Sequence, residues 1–141
     1  IYMDQYSTNW SKLVIKPYDL ADTDPWELYT LDLGHYGVYP RFILSDGVPG
    51  GNSAYALDSS YTLSLSQWHH IVGTYNGTIV ALYVDGVSIN ENPGSIQIGT
   101  NNLPLSFGGR LDNHGFNGLI DDVRIYNRAL TESEVVDLYK E

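Results

Sequence analysis

Carboxylates, histidines and aromatic rings are the groups in this chain whose types and spacing are suited to chemistry. An acidic loop spans residues 18–27 and carries Asp19, Asp22, Asp24 and Glu27 around Pro25-Trp26. Oxygen-rich loops of this kind can hold Ca2+, although the spacing is not that of an EF-hand and lacks its required glycine. His69-His70 invites a metal or proton-transfer reading. On a strand, however, neighbouring side chains point to opposite faces, so the two rings cannot chelate one ion. The expectation is two structural histidines, one hydrogen-bonded inside and one capping or facing solvent. Asp121-Asp122 poses the same question in a stretch with apolar Leu119, Val123 and Ile125. That pattern puts Asp121 on the inward side, where a carboxylate needs an ion pair, dense hydrogen bonding or a metal. It either pairs with Arg124 or Arg128, caps turn amides, or holds an ion.

A second set is suited to sugars, which take a flat ring beneath their C–H face and amide, guanidinium or carboxylate groups at vicinal hydroxyls. Arg110, Asp112, Asn113 and His114 fall in one loop, and Trp26, Tyr36, Tyr39 and Arg41 fall in others. These are the candidate ligand-binding residues. Trp68 opens an apolar strand and reads as core. Asn9 and Asn76 each begin an N-x-Ser/Thr sequon, which matters only in a glycosylating host. With no cysteine there is neither a disulfide framework nor a thiolate site. No phosphate-cradling glycine loop is present. The net charge of −10 repels phosphate backbones and anionic lipid, so neither nucleic acid nor membrane is an expected partner. No apolar run approaches the roughly 20 residues of a membrane span, and no leader-like segment opens the chain.

These groups must be positioned by strands. Gln67–Ile89 packs two reversal signals, Asn76-Gly77 and Asp85-Gly86, between runs rich in Val, Ile, Tyr and Leu. That is the short-range signature of strands joined by two-residue turns. Trp68–Tyr75 pairs with Thr78–Val84, and the chain returns through Val87–Ile89. In the middle strand both alternating sets, Ile79/Ala81/Tyr83 and Val80/Leu82/Val84, are apolar, which predicts a strand inside a sheet. Further strands are expected at Trp10–Lys16, Leu28–Leu33, Arg41–Ser45, Ile96–Gly99, Leu105–Gly109 and, as the closing strand, Leu119–Tyr126, with Leu57, Tyr61, Leu63 and Leu65 pointing inward. Thr131 and Glu134 form a capping box for one short C-terminal helix with Val135, Val136, Leu138 and Tyr139 on its apolar face. At 141 residues the chain reads as one domain with a substantial core. Twelve Tyr and three Trp fit a β protein with amphipathic rings at its surface, which sugar-facing and ordinary tyrosine-rich sandwiches share.

Trp68-His69-His70, the Thr74–Gly77 turn, Leu82–Gly86 and above all FNGLIDDVRIYNRALTESEV, residues 116–135, resemble the laminin-G-like (concanavalin A-like, pentraxin-like) jelly-roll family. A weaker match reaches back through Ile15-Lys16-Pro17 and Arg41–Gly47. The resemblance implies an all-β fold, an antiparallel β-sandwich (jelly roll) with one short C-terminal α-helix. It also implies an early core strand at Trp10–Lys16 with another before it. Either Ile1–Thr8 supplies that strand, or an edge is left for an upstream segment or a neighbouring chain to fill. Similar jelly rolls bind a structural Ca2+ beside the closing strand, which points to Asp121 with Asp22, Asp24 or Asp112. Related sandwich-fold glucanases carry Glu-x-Asp-x-Glu or Glu-x-Asp-x-x-Glu on one strand. No such pattern occurs here, and the five Glu residues read as loop or helix residues. The expectation is a non-catalytic carbohydrate-binding or adhesion module of an extracellular or cell-surface protein. The alternatives are a building block of a surface layer or filament completed by a strand from a neighbouring chain and, least favoured, a glycan-active enzyme.

Overall fold

In the computed structural model the described residues are 1–6, 10–21, 23–34, 38–57, 60–109 and 115–141. Of the two reversal signals, Asp85-Gly86 makes the expected two-residue turn with Val84 paired to Val87, whereas the hairpin at Asn76-Gly77 pairs Tyr75 with Val80 across residues 76–79. Gly77 (φ 97°), Asp85 (φ 52°) and Gly86 (φ 79°) occupy the positive-φ positions that tight hairpins require. They join β5 (Ile71–Tyr75), β6 (Ile79–Val84) and β7 (Val87–Pro93) into a three-stranded antiparallel sheet with β6 in the middle. The second sheet holds β1 (Ser11–Pro17), β2 (Glu27–Leu33), β3 (Pro40–Ser45), β4 (Ser53–Leu57) and β8 (Ser106–Phe107), in the order β4-β3-β2-β1-β8.

The sheets face each other through the alternating side chains of their strands. Val80 and Leu82 pack on Leu44, Ala54 and Ala56, while Val84 joins Met3, Leu13, Leu33 and Leu63. Each such fully buried Val or Leu contributes about 1.5–3 kcal/mol. At one point the sheets approach closely enough that only glycine fits, since a Cβ on Gly73 would lie 2.4 Å from the Phe42 ring. The other face of β6 is also dry. Ala81 and Tyr83 pack with Val135, Val72 and Leu130, so helix α1 (Glu132–Tyr139) roofs the smaller sheet. An eight-residue helix is marginal alone. Its capping box between Thr131 and Glu134 is present, and its buried Val135 ties it to the sandwich.

Two expected strands are corrected. Residues 96–99 form no strand, although Ile96 and Ile98 still pack against the core. Of the closing strand 119–126 only Leu119 pairs among the described residues, in an isolated bridge to Tyr2; Ile120 packs half-buried against the core and residues 121–126 run exposed. Tyr2 bridges Trp68 on its other side, so Ile1–Met3 supplies a short strand-like piece and buries Met3 completely. No described helix is long and apolar enough to cross a membrane.

Candidate functional site: a charged ladder on the five-stranded sheet

The register of β1, β2 and β3 sets Lys12 opposite Asp32 and Asp32 opposite Arg41, so three charged side chains share one rung. Asp32 is completely buried. Its carboxylate accepts from Lys12 Nζ at 2.7 Å and from Arg41 Nε and Nη2, each at 2.7 Å, in a two-pronged fork. Lys12 also meets Glu27 at the start of β2, 3.4 Å away. Burial pushes the Glu27 carboxyl above its ordinary range, with the Lys12 charge opposing the shift. Arg41 lies 4.5 Å from the centre of the Trp10 ring, a cation–π contact that closes the ladder on its outer side. Two cations and two anions thus neutralise one another in a site almost without water, where none could be left alone cheaply.

Alternation along β3 and β4 extends this face. Phe42 and Leu44, opposite Ala56 and Ala54, point into the sandwich, so Arg41 and Ile43 point out, and Tyr55, opposite Ile43, points out with them. Tyr55 is 51% exposed. Trp10, Arg41, Ile43 and Tyr55 therefore line one outward surface.

Of the residues predicted to bind sugar, Arg41 is at this site. Tyr39 instead packs its ring on Gly34 in the β2–β3 connection, and Trp26 stands exposed at the β2 entrance. Tyr36, Arg110, Asp112, Asn113 and His114 lie outside the described residues, as does Asp22 of the metal set. The Asp24 carboxylate accepts from the Gly50 amide at 2.8 Å. Asp121 is exposed rather than inward, and its Oδ1 accepts from the Asp122 amide. Among the described residues no three His, Cys, Asp or Glu side chains converge as a metal cage would require. Lys12, Asp32 and Trp10 were missed, and Glu27, expected in the acidic loop, stands on β2. The signal for Lys12, Glu27 and Asp32 was the appearance of charged residues inside otherwise apolar strand sequences.

The histidine pair behaves as two structural groups. His69 is buried, with Nδ1 2.8 Å from Asp85 Oδ2 and Nε2 3.3 Å from Ser64 Oγ. The order Ser64–His69–Asp85 resembles a nucleophile relay. The Ser64 carbonyl lies 3.1 Å from the same Nε2, however, and Asp85 Oδ1 also accepts from the His70 amide. The cluster therefore clamps the start of β5 to the Asp85-Gly86 turn. His70 stacks on Tyr139 of α1, and burial lowers its pKa. Trp68 corrects the core expectation. It is 52% exposed at the sheet edge, its ring 5.8 Å from that of Tyr2.

A sequence profile described as the concanavalin A-like lectin/glucanases superfamily, of laminin-G type, matches residues 1–136. Pappalysin-1 of Mus musculus is 27% identical over an alignment of 104 residues that covers 69% of this chain and 6% of that protein. Among solved structures, domain 4 of AbnA, a GH43 extracellular arabinanase from Geobacillus stearothermophilus in complex with arabinotriose, superposes with a TM-score of 0.62 at 22% identity. That match covers 98% of this chain and 62% of the other. An S-layer domain-containing protein from Clostridium thermocellum ATCC 27405 aligns at a TM-score of 0.43 and 18% identity, over 99% of this chain and 67% of that one. The chain thus spans less than two thirds of pappalysin-1 and of the arabinanase domain.

Proposed function

We propose, from the premise that this chain belongs to the concanavalin A-like lectin/glucanases superfamily, that it is a non-catalytic module of an extracellular protein which binds a neutral glycan. The ligand lies on the outward face of the five-stranded sheet. The observation that carries this reading is a guanidinium locked in place beside an exposed ring. Arg41 is held by the Asp32 fork beneath Trp10, and Tyr55 stands on the same face. The fork uses two of the five guanidinium N–H donors and fixes the plane, and in this reading the remaining donors meet vicinal hydroxyls. Tyr55 offers the flat apolar surface that a sugar C–H face needs. The net charge of −10 disfavours polyanionic glycans. The one pair of carboxylates on this sheet, Glu27 and Asp32, shares the Lys12 ammonium rather than facing across an open groove, which supports binding over hydrolysis.

The test is isothermal titration with arabinotriose and retention on insoluble arabinan, xylan and β-glucan, with polygalacturonate as the acidic control. Neutral glycan should be retained, and Tyr55→Ala should weaken binding about tenfold while leaving the melting temperature unchanged. Retention of none of the neutral polymers, or a Tyr55→Ala variant that binds like the parent, would overturn the reading.

A further inference from the structure

Two asparagines are followed by glycine, Asn76-Gly77 and Asn117-Gly118. The pair has its own chemistry, because a backbone nitrogen with no Cβ beside it can reach the preceding side-chain amide carbon and close a five-membered imide. The fold gives the two pairs opposite surroundings.

Asn76-Gly77 lies in the exposed connection between β5 and β6. Asn76 Oδ1 accepts three hydrogen bonds, from the Thr78 amide and Thr78 Oγ1, each at 3.0 Å, and from the Ile79 amide at 2.8 Å. Three donors on one amide oxygen draw electron density from Cγ and stand where negative charge gathers when that carbon is attacked. They are held in place by the hairpin itself. The Asn76 amide donates to the Ile79 carbonyl at 3.3 Å, and the Thr78 carbonyl accepts from the Gly94 amide at 2.8 Å. The nucleophile is not held. Among the described residues the Gly77 amide donates to no backbone carbonyl, and a Cβ built on Gly77 would meet nothing within 4 Å.

At the other pair the glycine is packed. A Cβ on Gly118 would come 2.3 Å from the Tyr2 carbonyl oxygen, and the next residue, Leu119, exchanges both backbone hydrogen bonds with Tyr2 at 2.9 Å. Closing an imide rotates the backbone between asparagine and glycine, and at Gly118 that rotation would break the Leu119 pairing.

We propose that Asn76 is a site of spontaneous covalent modification, an imide-forming asparagine whose side-chain carbonyl is activated by its own turn. Hydroxide removes the Gly77 N–H proton, the nitrogen lone pair attacks Asn76 Cγ, and the charge moves to Oδ1 beneath the three donors. Collapse breaks the Cγ–Nδ2 bond, and the nitrogen leaves as ammonia with a proton taken from water. One water then opens the ring. Cleavage between Gly77 N and Cγ gives aspartate, and cleavage between Gly77 N and the original main-chain carbonyl carbon gives isoaspartate. The sum is asparagine plus water to aspartate or isoaspartate plus ammonia, with no oxidant or reductant. Aspartate keeps an acceptor for the Thr78 and Ile79 amides, and so keeps the turn. Isoaspartate runs the main chain through Cγ, one carbon longer, in a hairpin that closes at Tyr75–Val80. Either product adds a negative charge to a chain already at −10.

The test follows both sites in one sample of the folded 141-residue chain, made without N-glycosylation because a glycan would occupy Nδ2. The chain is incubated at mildly alkaline pH, and the products are read by peptide mapping with mass spectrometry and by enzymatic methylation of isoaspartate. In the native chain Asn76 should convert at least about tenfold faster than Asn117, and faster than it does itself in guanidinium chloride, where the two sites should converge. Thr78→Val keeps the shape of the side chain, removes one donor to Oδ1 and should slow conversion of Asn76 about threefold or more. A turn that merely restrains Asn76 would give the opposite sign, a faster reaction once loosened. The inference is overturned if Asn76 converts no faster folded than unfolded, if the two native sites convert alike, or if Thr78→Val leaves the rate unchanged or raises it.

Discussion

Replacing Asp32 by Asn keeps the shape of the side chain and removes one charge from the centre of the ladder. Asp32 is fully buried and takes three hydrogen bonds, from Lys12 and from both prongs of Arg41. After the change, two cations whose side chains are only 7% and 13% exposed share a single carboxylate, Glu27, which lies 3.4 Å from Lys12 and is itself biased by burial toward its neutral form. Breaking a buried pair in this way typically costs about 3–5 kcal/mol. For a chain of this size that is a fall in melting temperature of roughly 10–17 °C. Urea unfolding followed by tyrosine and tryptophan fluorescence should show the midpoint move at constant slope. Two controls sharpen it. Glu27→Gln, which removes a carboxylate that burial already destabilises, should change stability by less than about 1 kcal/mol, and the quadruple variant Lys12→Met/Glu27→Gln/Asp32→Leu/Arg41→Met, which leaves no charge of the ladder unpaired, should recover most of the loss. If Asp32→Asn unfolds within about 1 kcal/mol of the parent, the ladder does not hold the three strands together and the reasoning is wrong.

Three further expectations follow from local geometry. Gly73→Ala places a methyl against the Phe42 ring where the two sheets touch, and should destabilise by about 1–3 kcal/mol in the same urea assay. The Glu134 carboxyl is held at about 2 by Arg128 first and then by the Thr131 amide and hydroxyl, below its ordinary 4.5. Its contribution to helix docking should be complete above pH 4.5 and lost as pH falls toward 2, and Glu134→Gln should remove that part of the acid sensitivity of far-ultraviolet helical signal. Thr131→Ala removes the cap side chain and should cost about 1 kcal/mol.

The features legible in the sequence are those whose causes lie within a few residues. Asn76-Gly77 and Asp85-Gly86 mark two hairpins because residues tolerant of positive φ let the chain turn tightly, but the register followed from the turn only at Val84–Val87; the first hairpin closes at Tyr75–Val80 and β6–β7 shifts register between Leu82 and Tyr83. Thr131 and Glu134 set the helix start because both partners of the capping box are three residues apart. The β sandwich and its family were readable for the same reason. The ladder was not, because Lys12, Asp32 and Arg41 acquire meaning only when three strands align on one rung, and Arg41 was read as a loop donor when its fork is held by Asp32. Trp68 has the composition of a core residue but sits at an edge against Tyr2. Residues 119–126 have the composition of a strand, and composition confers only the capacity to pair. Whether a strand forms depends on a second backbone lying within hydrogen-bonding reach, and that is a property of the assembled sheet.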